Sequence, residues 1–155
     1  MTARGDSSRA RHALRGLLGQ MESDVREAVE TGARVAELAA RGTDQWKDRS
    51  GKTRKSIRAK VTKRGFGFQI RGAGASLYLE HGTAPHVISA KGPPGPRMLR
   101  FVIGGSVIYR RSVYHPGTKA TFYLEHSVVE GAQTVSRNLP ALFRRAAEQR
   151  GLGGR

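Results

Sequence analysis

The sequence contains no cysteine, which rules out a disulfide framework and any thiolate metal site. Aromatic residues are scarce at 6%, with Trp46 the single tryptophan. Acidic residues are few as well: 12 Asp and Glu stand against 28 Lys and Arg, for a net charge of +16. Apolar residues reach 37%, below the roughly 45–50% of an ordinary soluble domain even when glycine is allowed for. That composition supports one modest core, not two. No run of about 18 apolar residues occurs, so no membrane-spanning helix is expected. Residues 1–11 are basic with no apolar stretch behind them, so no secretion signal is expected either. The reading that survives is a single, strongly basic α+β domain over 10–150, between a mobile arm at 1–9 and a frayed tail at 151–155.

The positive charge is concentrated. Residues 1–41 are nearly neutral at net +1, whereas 42–75 carry +8 and 76–120 carry +5. Such a stretch attracts phosphate or an acidic protein surface, with an affinity that falls as salt rises. The residues expected to make that contact are Lys52, Arg54, Lys55, Lys63, Arg64, Lys91 and Arg97. Because an exposed charge adds little to folding, reversing Lys52, Arg54 and Lys55 is expected to leave the fold intact.

Sites of chemistry are missing. There is no G-x-x-x-x-G-K-[ST] phosphate loop, and Gly65-Phe66-Gly67 lacks the third glycine of a dinucleotide fingerprint. No G-x-S-x-G elbow presents a nucleophile. The histidines at 12, 81, 86, 115 and 126 never place two ligands on one helix face. Neither catalysis nor a cofactor or metal is expected.

Along the chain, Leu14, Leu18, Met21, Val25, Ala28, Gly32, Val35 and Ala39 recur at spacings of four and three. They form the stripe of an amphipathic helix over 10–40. At 1.5 Å per residue that helix exceeds what a small domain needs for its own core. Its stripe covers either this chain's sheet or a neighbouring subunit, and Gly32 is a weak point or a close-contact site upon it. Residues 56–62 and 66–71 alternate with period two around Lys63-Arg64-Gly65, as a hairpin does. The Pro/Gly-rich segment from Pro85 to Pro96 reads as a loop, with Lys91–Arg97 as an assembly element. Met98–Ile103 and Ser106–Val113 read as strands joined by Gly104-Gly105. The resulting antiparallel sheet of about four strands is drawn from 55–71 and 86–114. Thr121 is placed to cap a helix to about Val135, and Asn138 with Pro140 to start a short last one.

Four pieces in this order resemble the neck and tail-completion proteins of long-tailed bacteriophages. They are the long first helix, Trp46 with Asp48–Ile57, Leu77–Thr83, and His115–Leu124. Ser50–Ile57 matches a T-G-x-L-R-x-S-I-like element, with Thr53 where an apolar residue is usual. Leu77–Thr83 matches a Y-x-x-x-x-E-x-G-T-like element, and Pro116-Gly117-Thr118 opens a P-G-T-x-x-x-P-F-L-like one whose second proline is absent here. The resemblance implies a non-enzymatic virion subunit, made in the host bacterial cytoplasm, that forms a closed ring, expected of six copies. Its implied partners are itself, a head-connector or stopper ring, and a tail-terminator or tail-tube ring. Trp46, Gly51, Glu80, Gly82, Thr83, Pro116 and Gly117 are then structural, and the basic segment faces an acidic ring or DNA passing through the lumen. From the charge alone, a second class stays open: a free-standing basic nucleic-acid-binding protein, such as an RNA-binding factor or ribonuclease toxin.

Overall fold

Thirty-nine residues without a proline form α1, Arg4–Gly42, in the computed structural model of the chain, which describes residues 4–90 and 98–149. At 1.5 Å per residue the helix is about 58 Å long. It begins earlier than its apolar stripe does, so residues 4–9 are helical. The Lys91–Arg97 loop and the tail at 151–155 lie outside the described residues. After α1 come α2 (Lys52–Ser56), β1 (Arg58–Val61), β2 (Phe68–Arg71), α3 (Ser76–His81), β3 (His86–Ser89), β4 (Leu99–Ile103), β5 (Ser106–Arg110), β6 (Ser112–His115) and α4 (Tyr123–Gln149). The α+β class, the long first helix, the antiparallel strands and the helical C-terminal segment agree with the sequence reading. Among the described residues no helix is long and apolar enough to cross a membrane.

The chain divides into two compact units, residues 1–74 with 123–155, and Ala75–Phe122. In the first, α1 and α4 pack side by side, and the β1/β2 hairpin lies against both. The buried face of α1 carries Ala28, Val29, Gly32, Ala33, Ala36 and Ala40. These small side chains let the two helices approach closely. A Cβ on Gly32 would fall on Val135 and 2.6 Å from the carbonyl oxygen of Gly131. One on Gly131 would lie 2.5 Å from the Gly32 oxygen and 2.7 Å from Phe68. Gly32 is therefore a close-contact site. The stripe of α1 splits in function, because Leu14 and Leu18, in its N-terminal half, remain 61% and 55% exposed.

Two expected helices are one. α4 runs through Pro140 without a break. Proline removes a single N–H donor, and the turns beyond it still line α1, where Ala141, Leu142 and Arg145 face Glu27, Ala28 and Thr31 across a groove of about 250 Å³. Buried Ala146 anchors this last stretch.

The second unit holds α3 and two separate ribbons, β3 with β6 and β4 with β5, all antiparallel. The expected four-stranded sheet is thus replaced by three two-stranded ribbons, β1/β2 included. Residues 106–113 read as one strand, yet the strand breaks at Arg111, and its halves pair with different partners. Segment 86–89 is a strand, within the 86–114 stretch expected to supply the sheet, so the Pro/Gly-rich loop does not begin at Pro85. The Gly104-Gly105 turn is as expected, with φ of 57° and 82° suited to a two-residue hairpin.

Candidate assembly and anion-binding surfaces

At the end of α1 a polar knot fixes the entry to the hairpin. The backbone N–H of Arg54 donates to Asp48 Oδ2 at 2.8 Å, and that of Ser50 to Asp48 Oδ1 at 3.2 Å. The Arg54 bond, opposed by desolvation and reinforced by Ser50 and Gly51, holds the Asp48 carboxyl below its usual range. Gly51, at φ 69°, makes the left-handed turn into α2. The Arg54 guanidinium donates to the carbonyls of Arg41, Thr43 (2.6 Å) and Trp46 (3.0 Å), satisfying groups the helix end leaves open. It also sits 4.4 Å over the Trp46 ring. Trp46 is buried and meets Tyr123 edge-on at 5.3 Å. Arg54 is therefore a cap and a ring partner, not a free contact residue. Its reversal is expected to weaken folding, unlike that of exposed Lys52 and Lys55.

A second tie joins α1 to β1. Arg41 donates to the Ile57 carbonyl at 2.7 Å, and Glu37 accepts the Ala59 N–H at 2.7 Å while pairing with Arg41 at 2.7 Å. Burial pushes the Glu37 carboxyl up, but the Ala59 N–H and Arg41 together bring it below its ordinary value. Ile57, fully buried, closes the motif Ser50–Ile57.

Two motifs far apart in sequence form one clasp in the second unit. Thr83 N–H donates to the Thr118 carbonyl at 2.9 Å, and Thr118 N–H returns to Thr83 O at 3.1 Å. Gly82 and Gly117 flank this bridge with φ of 72° and 90°. A Cβ on Gly82 would strike the Thr118 oxygen, and one on Gly117 the Thr83 oxygen. Pro116 is exposed beside it, and Glu80 is buried, its carbonyl accepting the Phe122 N–H at 3.2 Å. The Thr121 hydroxyl, just ahead of α4, donates to the Leu79 carbonyl at 2.8 Å, and Phe122 turns with φ 49°. We expect Gly82→Ala to destabilise the clasp by about 1–3 kcal/mol, since both the positive φ and the backbone contact oppose a side chain. Amide exchange at Thr83 and Thr118 checks this: faster exchange is expected, and unchanged protection would contradict the assignment.

Beyond the clasp, the ribbons of this unit expose their apolar side chains. Val87, Val102, Ile103 and Tyr114 are 60–69% exposed, and Tyr109 53%. Among the described residues of Ala75–Phe122, only Ser76 and Glu80 are buried, and neither is apolar. His86 and His115, paired across β3 and β6, stack at 5.2 Å. Among the described residues no cluster of His, Asp or Glu suits a metal ion.

The cations collect on the hairpin of the first unit. Pleating turns Ala59, Val61, Phe68 and Ile70 one way, half-buried, and Arg58, Lys60, Gln69 and Arg71 the other, exposed. Lys63 and Arg64, at the turn, and Lys52 and Lys55, on α2, are exposed as well. Lys91 and Arg97 lie outside the described residues. The sequence reading missed Arg58, Lys60 and Arg71, although the period-two alternation it used already put these three on one face.

Comparison with protein-family models, curated proteins and solved structures returns no match for this chain.

Proposed function

We propose that this protein is a non-enzymatic structural subunit of a tailed phage or phage-derived particle, a ring-forming neck or tail-completion protein that joins the head connector to the tail. One observation carries the reading: the Ala75–Phe122 unit buries no apolar residue among those described, while its ribbons expose valine, isoleucine and tyrosine. Two-stranded ribbons are marginal in water by themselves, and contiguous exposed apolar surface marks a place where another protein sits. A second copy of the same chain supplies that cover. In a ring the contact is heterologous, so the ribbons of one subunit meet a different surface of the next, and rotation closes the assembly. Exposed Leu14 and Leu18 on α1 offer such a second apolar surface. The order of the three sequence motifs supports the phage assignment, and the clasp supports treating two of them as one structural device.

Electron microscopy of the purified full chain tests the proposal. Closed rings of uniform subunit number are expected. Single 16.9 kDa particles that bind oligonucleotide at physiological salt would instead favour a free-standing nucleic-acid-binding protein.

A further inference from the structure

We infer that the outward face of the β1/β2 hairpin is a binding surface for the phosphate backbone of duplex DNA. The inference goes beyond the ring reading and does not require it.

The charge on this face is unrelieved. Residues 49–79 contain nine Lys and Arg and no carboxylate. Two acids of the first unit that tie to the hairpin and its entry are already engaged, Glu37 with Arg41 and the Ala59 N–H, and Asp48 with the Ser50 and Arg54 backbone. The register sets Arg58 opposite Arg71 and Lys60 opposite Gln69. Alternate residues recur at about 6.6–6.8 Å along a strand and neighbouring strands lie about 4.8 Å apart, so the face is a regular grid of donors. The Arg58 guanidinium is oriented by the carbonyls of Lys55 and Ile57, each at 2.7 Å. Arg71 is held by the Gln69 side chain at 2.9 Å. A concavity of about 360 Å³ runs between these side chains, with Thr62 and Lys63 at its turn end.

Three chemistries compete for such a surface. Protein partners need apolar or aromatic anchors and disfavour lysine at the centre of a contact. This face offers cations, an amide and a hydroxyl, with half-buried Val61 as the one apolar side chain lining the concavity and no aromatic among them. Single strands need aromatic platforms on which bases stack. The hairpin turns Phe68 inward, half-buried, and shows only Phe66 at its turn. Duplex phosphates need what is present, fixed guanidinium and ammonium donors on a polar, strongly positive surface. With no side chain suited to reading base edges in a groove, binding is independent of sequence.

Fluorescence anisotropy of the full chain with two unrelated duplexes of about 30 base pairs tests the inference, over roughly 50–200 mM salt. With about five phosphates neutralised, the two duplexes should bind alike and lose about 500-fold in affinity across that range. The double variant Lys60→Ala/Arg71→Ala should flatten the salt slope by about two units and weaken binding tenfold or more near 100 mM salt. Gln69→Glu, which places a carboxylate in the middle of the face, should weaken binding without removing any cation. Circular dichroism melting separates these effects from loss of folding, and Gln69→Glu answers the question if the double variant does not fold. An unchanged slope and affinity in the variants would overturn the inference. So would poly-glutamate competing as well as duplex at equal charge, or single strands binding more tightly than duplexes. The ring reading fails on particle mass alone and this inference on DNA affinity alone, so the two failures are distinguishable.

Discussion

Alanine at position 131 should destabilise the protein by about 1–3 kcal/mol, although Gly→Ala within a helix ordinarily stabilises it by roughly 1 kcal/mol. The sign reverses because the new Cβ would lie 2.5 Å from the Gly32 carbonyl oxygen and 2.9 Å from Ala36 Cβ. Backbone cannot move aside as a flexible side chain can, so α1 and α4 must separate. Gly131→Val, with two further methyls at the same crossing, should be worse again. Gly19 supplies the control: on α1, with nothing within 4 Å of its would-be Cβ, Gly19→Ala should raise stability by about 0.5–1 kcal/mol. Urea midpoints at constant m-value check both signs. Equal effects at the two positions would mean that the helices do not cross at Gly32 and Gly131.

Loss of the Arg54 side chain should be at least as damaging. Arg54→Ala leaves the carbonyls of Arg41, Thr43 and Trp46 without their donor and strips the cation from the Trp46 ring. Charge-assisted hydrogen bonds contribute about 1.5–3 kcal/mol each, not additively, so a total near 3 kcal/mol is expected. Arg54→Lys should recover little of it, because a single ammonium cannot span three carbonyls in the geometry of a planar fork. Lys52→Ala and Lys55→Ala, on the same short helix but exposed, should stay within about 0.5 kcal/mol of the parent. Thermal unfolding of the four variants decides whether the basic run is one functional patch or a cap set among surface charges. A parent-like Arg54→Ala would contradict the cap.

The contrast between Arg54 and its neighbours marks the boundary of what the sequence reveals. Period and spacing made α1 legible, and the Gly104-Gly105 turn announced its hairpin, because each is a local signal. The function of Arg54 is not local. Charge and position in a basic run are the same for Lys52, Arg54 and Lys55, and only the folded chain brings the carbonyls of Arg41, Thr43 and Trp46 to one of them. The clasp is similar, since Gly82 and Gly117 lie in separate motifs and acquire a shared purpose through the Thr83–Thr118 bridge. The splitting of 106–113 at Arg111 is set by pairing, since 106–110 join β4 and 112–115 join β3, partners that no local pattern names. Pro140 misled in the opposite direction: a residue that usually starts or ends a helix is tolerated where the turns on both sides of it pack on α1. On the hairpin, the alternation that located the strands also sorts Arg58, Lys60 and Arg71 onto the outer face, so that surface was readable though it went unread.

In the proposed ring the apolar ribbons of the Ala75–Phe122 unit are covered by further copies of the chain. Sedimentation velocity of the purified chain over a range of concentrations tests this cover most directly. The prediction is one discrete species at an integral multiple of 16.9 kDa, six being the number that the family resemblance implies. Its mass should fall to that of the single chain when Val102 and Tyr109 are both changed to glutamate. A monodisperse 16.9 kDa species at every concentration would contradict the claim.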